Sequence, residues 1–198
     1  MIILGIDPGS ITTGYAFLDA DGKSVRVLEY GVIHARAGRT LEDRLLHIVS
    51  ELELLLEKYR PDTLSMEGVF FAKNARSALV LGHIRGAILV ACRRRGMTYS
   101  EYSPRLVKQA VTGNGAAAKE QVANMVFAHL GIVGGNLPLD ASDALAIAWT
   151  HANPAPILSN ISAALPVDCS KKKIPGRKKK PTTKQWEYLI KKMGGNVP

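Results

Sequence analysis

The chain has only two cysteines, Cys92 and Cys169, and they lie far apart in its 198 residues. That spacing excludes a cysteine metal cluster and gives no disulfide framework, so both read as reduced thiols of a cytosolic protein. The five histidines (His34, His47, His83, His129 and His151) are scattered, with no second ligand at a metal spacing, which argues against zinc. No apolar run approaches a bilayer-spanning length, and the start lacks the basic segment and apolar stretch of a signal peptide. A cytoplasmic chain without membrane association is expected. Acids are scarce at the other end, where residues 171–198 hold ten Lys/Arg and a single Glu. Residues 1–170 hold sixteen charges of each sign, so the tail accounts for the formal net charge of +9. Within the neutral part, residues 73–119 carry nine Lys/Arg against one acid, Glu101. A basic middle and a basic tail suit a polyanionic partner, although a disordered, solvated tail has the same composition.

Hydrophobic residues make up 46% of the chain, which suffices for one sizeable core with an appendage. The run Ile2-Ile-Leu-Gly-Ile-Asp7-Pro-Gly-Ser10 predicts a short buried strand that ends on a carboxylate. Asp7 then either opens a capped turn or stands at the strand end where open α/β sheets place their chemistry. Residues 11–19 and 24–33, joined by the turn signal Asp21-Gly22, predict two further strands of an antiparallel meander. Residues 40–58 predict a helix capped by Thr40, with Leu41, Leu45, Ile48, Leu52 and Leu55 on the inner face. Thr63–Phe71 repeats the first pattern and delivers Glu67. The intervening helix allows this strand to lie parallel to the first, so that Asp7 and Glu67 meet at one rim.

Residues 75–94 predict a helix in which Ala78, Gly82 and Gly86 form a small-residue stripe, for tight packing on the sheet or for a dimer seam. A strand over 97–102 and helices over 104–111 and 116–130 follow. Lys108 and Lys119 flank the loop Thr112-Gly-Asn-Gly115, which could cradle phosphate but matches no P-loop. With Lys73 and Arg76 of the same basic segment, they are candidate contacts to a nucleic-acid backbone. The last helix of the body begins Leu139-Asp140-Ala-Ser-Asp143, which sets two acids on one face of its first turn. Dipole capping explains one acid there, and a ligand role is favoured for the pair. Asn153-Pro154 ends the domain. Residues 154–198 read as a basic linker and tail, with a short amphipathic helix over 183–193.

Asp7, Glu67, Asp140 and Asp143 in one cleft would repel one another, and divalent cations relieve that repulsion. All-oxygen ligands favour Mg2+ or Mn2+, and two such ions about 4 Å apart can drive in-line phosphoryl displacement.

The stretches Ile3-Leu-Gly-Ile-Asp7-Pro-Gly-Ser10, Glu67-Gly-Val-Phe70-Phe-Ala-Lys-Asn74, Ser77-Ala-Leu-Val-Leu-Gly82, Val107-Lys108-Gln109 and Asp140-Ala-Ser-Asp143-Ala-Leu-Ala146 together resemble the RuvC family, the bacterial Holliday-junction resolvases. The resemblance covers residues 1–153, with the motifs in the family's order. It implies an α/β ribonuclease H-like fold, a five-stranded mixed sheet (antiparallel meander plus parallel strands) flanked by helices. It also implies a homodimeric endonuclease that cuts two opposed strands of a four-way DNA junction symmetrically, with Mg2+, and leaves ligatable ends. By resemblance Asp7, Glu67 and Asp140 match catalytic metal ligands and Asp143 the fourth acid. Phe70 matches an aromatic that stacks at the junction, a contact worth about 1–3 kcal/mol per base. Lys108 and Lys119 match basic residues near the cleaved phosphate, and the family implies partnership with the RuvA–RuvB branch-migration machine. No family role reaches the tail beyond about Pro154.

Two other nuclease or ATPase readings begin with a similar apolar-Asp-x-Gly opening. A YqgF-type ribonuclease H-like nuclease would not be expected to carry the Phe-Ala-Lys-Asn stretch. An actin-like or sugar-kinase ATPase would need two such domains. A non-catalytic DNA-binding module has no use for four acids.

Overall fold

The computed structural model describes residues 1–22, 24–36, 38–68, 74–132 and 138–153. Phe70, Lys73, the 154–198 tail and the helix expected at 183–193 lie outside these residues.

Five strands form one mixed sheet: β1 (Ile2–Asp7), β2 (Thr12–Ala20), β3 (Val25–His34), β4 (Thr63–Glu67) and β5 (Thr98–Tyr102), in the order β3-β2-β1-β4-β5. The first three are the antiparallel meander, and β4 and β5 add in parallel. The turn after β2 works because Gly22 takes a φ of 84°, a conformation that side chains with a Cβ resist.

Helix α1 (Leu41–Tyr59) starts at Thr40, whose hydroxyl accepts from the Asp43 amide. Its innermost residues are Ile48, Leu52 and Leu56. The inner stripe therefore turns onto Leu56, and Leu41, Leu45 and Leu55 sit at its margin. Helix α2 (Ala75–Arg93) packs beside α1 through Ile84, Ile88 and Cys92. Both helices cover one face of the sheet. The other face is covered by α5 (Leu139–Ala152), with α3 (Pro104–Thr112) and α4 (Lys119–Leu130) beside it. Helix α4 starts at Lys119, three residues later than the sequence pattern suggests, and its cap Ala118 offers no side-chain bond.

Alternation along the strands decides which face each residue serves. In β1, Leu4 and Ile6 join the α1/α2 core, while Ile3 faces α5. In β4, Leu64 and Met66 also join the α1/α2 core. Asp7 and Glu67, each one residue beyond, thus project toward α5. Helix α5 reaches the sheet because glycine and alanine meet there. A Cβ on Gly5 would lie 2.3 Å from the Ala144 carbonyl oxygen, and one on Gly14 would lie 1.9 Å from that of Asp140. Gly14 pairs with Asp7 across β1 and β2.

The stripe on α2 does not pack on the sheet. A Cβ on Gly82 or Gly86 would meet nothing within 4 Å, and Leu79 and Val90 on the same side are 64% and 59% exposed. Of the two roles open to that stripe, tight helix–sheet packing is thereby excluded. The length and apolar character of α2 also suffice for a bilayer span, contrary to the expectation from run lengths. Its buried side nevertheless belongs to the α1/α2 core.

Candidate active site

Three elements bring acids to one end of the sheet. β1 delivers Asp7, β4 delivers Glu67, and the first turn of α5 delivers Asp140 and Asp143. Carboxylate oxygens of Asp7, Asp140 and Asp143 lie within 4.8 Å of one another, a spacing that could hold a metal ion. Glu67 flanks this trio, and its charge couples to Asp7 and to Asp143. All four are half-buried. The i, i+3 spacing on α5 puts both of its acids on one face, and the Gly14 contact brings that turn down onto β2.

Charge crowding is visible in the proton affinities. The Asp7 carboxyl is pushed up to about 7, first by burial, then by the charges of Asp143, Glu67 and Asp140, with Lys119 opposing. Glu67 is raised by burial and by Asp143, while Lys119, Arg85 and Lys108 pull it down. Asp143 is raised by burial despite an ion pair of 2.6 Å with Lys119. Burial lowers the Lys119 ammonium, but its bond to Asp143 and the fields of Asp7 and Asp140 outweigh that and raise it. The site therefore lacks positive charge, and one lysine supplies part of it. An all-carboxylate donor set of this kind fits a hard divalent cation.

Lys108 on α3 and Lys119 at the start of α4 line a cavity of about 210 Å3 with Glu67, Asp143, Val122 and Ile147. Both lysines thus adjoin the acids. Arg76 lies on the first turn of α2 and its amide donates to the cap Asn74. Its guanidinium is not part of this cavity.

Two residues that sequence reasoning passed over hold the site together. Arg85, from the inner side of α2, donates to the Glu67 carbonyl at 2.5 Å, the Tyr99 hydroxyl at 3.3 Å and the Glu101 carboxylate at 2.7 Å. It ties the ends of β4 and β5 to one helix. A lone arginine amid an apolar helix was the available signal. Gly14 is the other, and a glycine inside a strand pattern signals close approach of another backbone.

The family described as "Crossover junction endodeoxyribonuclease RuvC" matches residues 3–151. A protein of that name from Ruminiclostridium cellulolyticum is 45% identical over 153 residues, 77% of this chain and 92% of its own length. The fold is similar to the Thermus thermophilus RuvC structure, with 36% identity and a TM-score of 0.72 over 79% of this chain and 96% of that one. It is also similar to T. thermophilus RuvC in complex with Holliday junction substrate, with 33% identity and a TM-score of 0.71 over the same shares of the two chains. With the acids, the sheet order and these likenesses in agreement, the chain belongs to the RuvC family.

Proposed function

We propose that this protein is a Holliday-junction resolvase, an endonuclease that hydrolyses phosphodiester bonds in two opposed strands of a four-way DNA junction during recombination and repair. The observation that carries this reading is the trio Asp7, Asp140 and Asp143, with carboxylate oxygens within 4.8 Å of one another, in a chain of this family. These three acids and Glu67 would hold Mg2+ or Mn2+, with two ions per site. A divalent ion there supplies Lewis acidity to the phosphodiester and to the attacking water.

The protein's own groups do the rest. Lys108 and Lys119 bind the phosphate flanking the cut, and their charge offsets the acids when DNA approaches. Arg85 fixes the backbone that carries Glu67. The apolar wall of Val107, Val122 and Ile147 limits water on one side of the cleft. Lys73 and Arg76 extend the backbone contacts, and Phe70 stacks on a base at the junction. The open face of α2, with Leu79, Gly82, Gly86 and Val90, supports a homodimer whose two sites cut symmetrically. Residues 1–153 form the nuclease domain and the basic tail tethers DNA. The enzyme works in the cytoplasm with the RuvA–RuvB branch-migration complex.

The decisive experiment incubates purified protein with a synthetic four-way junction, with and without Mg2+. Paired, ligatable nicks near the junction centre are expected only with the metal. Uncut junction at saturating binding, or equal cutting of linear duplex, would overturn the proposal.

A further inference from the structure

The first 72 residues hold seven Lys/Arg against eleven acids. Against that acidic background, three of the seven cations gather in one place. Arg36, Arg39 and Arg44 line a hollow of about 320 Å3 with His47 and a single acid, Asp43. We infer that this hollow is a second binding site for the DNA backbone, engaging a phosphate beyond the one being cut. The inference rests on the resolvase reading and adds a substrate contact remote from the acids.

Its place in the fold supports that role. The Ala35 amide donates to the Ile11 carbonyl, and the Arg44 guanidinium donates to the Ser10 carbonyl, each at 2.8 Å. The hollow is thereby fastened to the very turn that leaves Asp7. Strand β3 lies two places from β1, and its last residue, His34, pairs with Thr12 at the same rim. Two strand spacings are roughly 10 Å, so the hollow and the acids border one rim of the sheet.

Its chemistry supports a phosphate. Among the described residues, no ion pair involves Arg36, Arg39 or Arg44. Arg44 has its Nε buried with no hydrogen-bond partner, so its planar fork is only partly used. A guanidinium fork matches two phosphate oxygens. Arg36 and Arg39 are exposed and free to close over such a ligand. Among the described residues, no apolar side chain lines the hollow, which disfavours a hydrophobic ligand.

The test measures binding of a synthetic four-way junction against salt, using full-length Asp7→Asn protein so that cutting does not intervene. In Arg36→Gln/Arg39→Gln, the slope of log affinity against log salt should become shallower by about 0.9 for each phosphate that the variant no longer neutralises. Arg36→Lys/Arg39→Lys should keep most of the slope. An unchanged slope in the Gln variant, with an unchanged melting temperature, overturns the inference. The two readings fail separately: wild-type protein that binds junctions without cutting them sinks the enzyme reading, while the salt slope still reports on the hollow.

Discussion

The Lys119 ammonium lies 2.6 Å from an Asp143 carboxylate oxygen, beside the trio that also contains Asp7 and Asp140. It is a fixed cation held by the acids that would bind a metal. Its charge works against the effect of burial on Asp7 and Glu67. A metal held by Asp143 would compete with the lysine for that carboxylate.

Replacing Lys119 by Gln should expose that dependence. The lysine side chain is about half exposed, so solvent screening limits its worth to about 1 kcal/mol. Metal-free Lys119→Gln protein should melt a few degrees lower near pH 8, and Mg2+ should raise its melting temperature more than that of wild type. Thermal melts with EDTA and with a Mg2+ series read this directly. Equal Mg2+ shifts in the two proteins would show that the lysine does not compete.

Asp7 makes the metal-free protein sensitive to pH. Its carboxyl binds a proton more tightly in the folded chain, at about 7, than at the ordinary value of 3.8 that the unfolded chain approaches. As pH rises between those values the unfolded state loses its proton first. Stability therefore falls through that window. Asp7→Asn cannot titrate, so it should match wild type near pH 4 and exceed it above pH 7 by up to a few kcal/mol. It should still bind a junction but not cut it. Melts in EDTA across pH, paired with a cleavage assay, check both halves, and a variant that cuts at the wild-type rate would remove Asp7 from the ligand set.

Gly14→Ala places a methyl 1.9 Å from the Asp140 carbonyl oxygen, so the first turn of α5 must lift from β2. Overpacking of this kind costs about 1–3 kcal/mol. The larger effect should be on cutting, because Asp140 and Asp143 move away from Asp7. A misplacement of about 1 Å can cost on the order of 100-fold in rate. Single-turnover rates on the folded fraction distinguish this from simple instability. A normal rate there would mean that α5 tolerates the shift.

The open face of α2 gives the proposed dimer its test. Leu79→Arg adds charge to a position that is 64% exposed, so a monomer should fold unchanged. Sedimentation should then shift from dimer to monomer, and paired nicks should give way to single ones. A variant that remains dimeric would place the seam on another face.

Much of this was legible in the chain because local chemistry agreed with the fold. The run ending at Asp7, the delivery of Glu67 by the next buried run, the Thr40 cap and the Asp21-Gly22 turn each read correctly from neighbours in sequence. The parallel pairing of β1 and β4 followed from the helix between them. What escaped were relations between distant segments. Whether Glu67 stands inside or beside the closest trio depends on how far α5 leans, which Gly5 and Gly14 set. Arg85 looked like one charge among nine in the basic segment, yet it faces inward and serves two strand ends. The α2 stripe had two meanings until the sheet took its place on the opposite side of the helix. The shift from Leu55 to Leu56 reflects a core met at a slightly different angle than an ideal helical wheel assumes.

The acids come from opposite ends of the domain: Asp7 closes the first strand, while Asp140 and Asp143 open the final helix. A ribosome must finish nearly the whole domain before these groups can meet. Copies in which α5 is not docked would lack Asp140 and Asp143 beside Asp7, and with them the carboxylate trio.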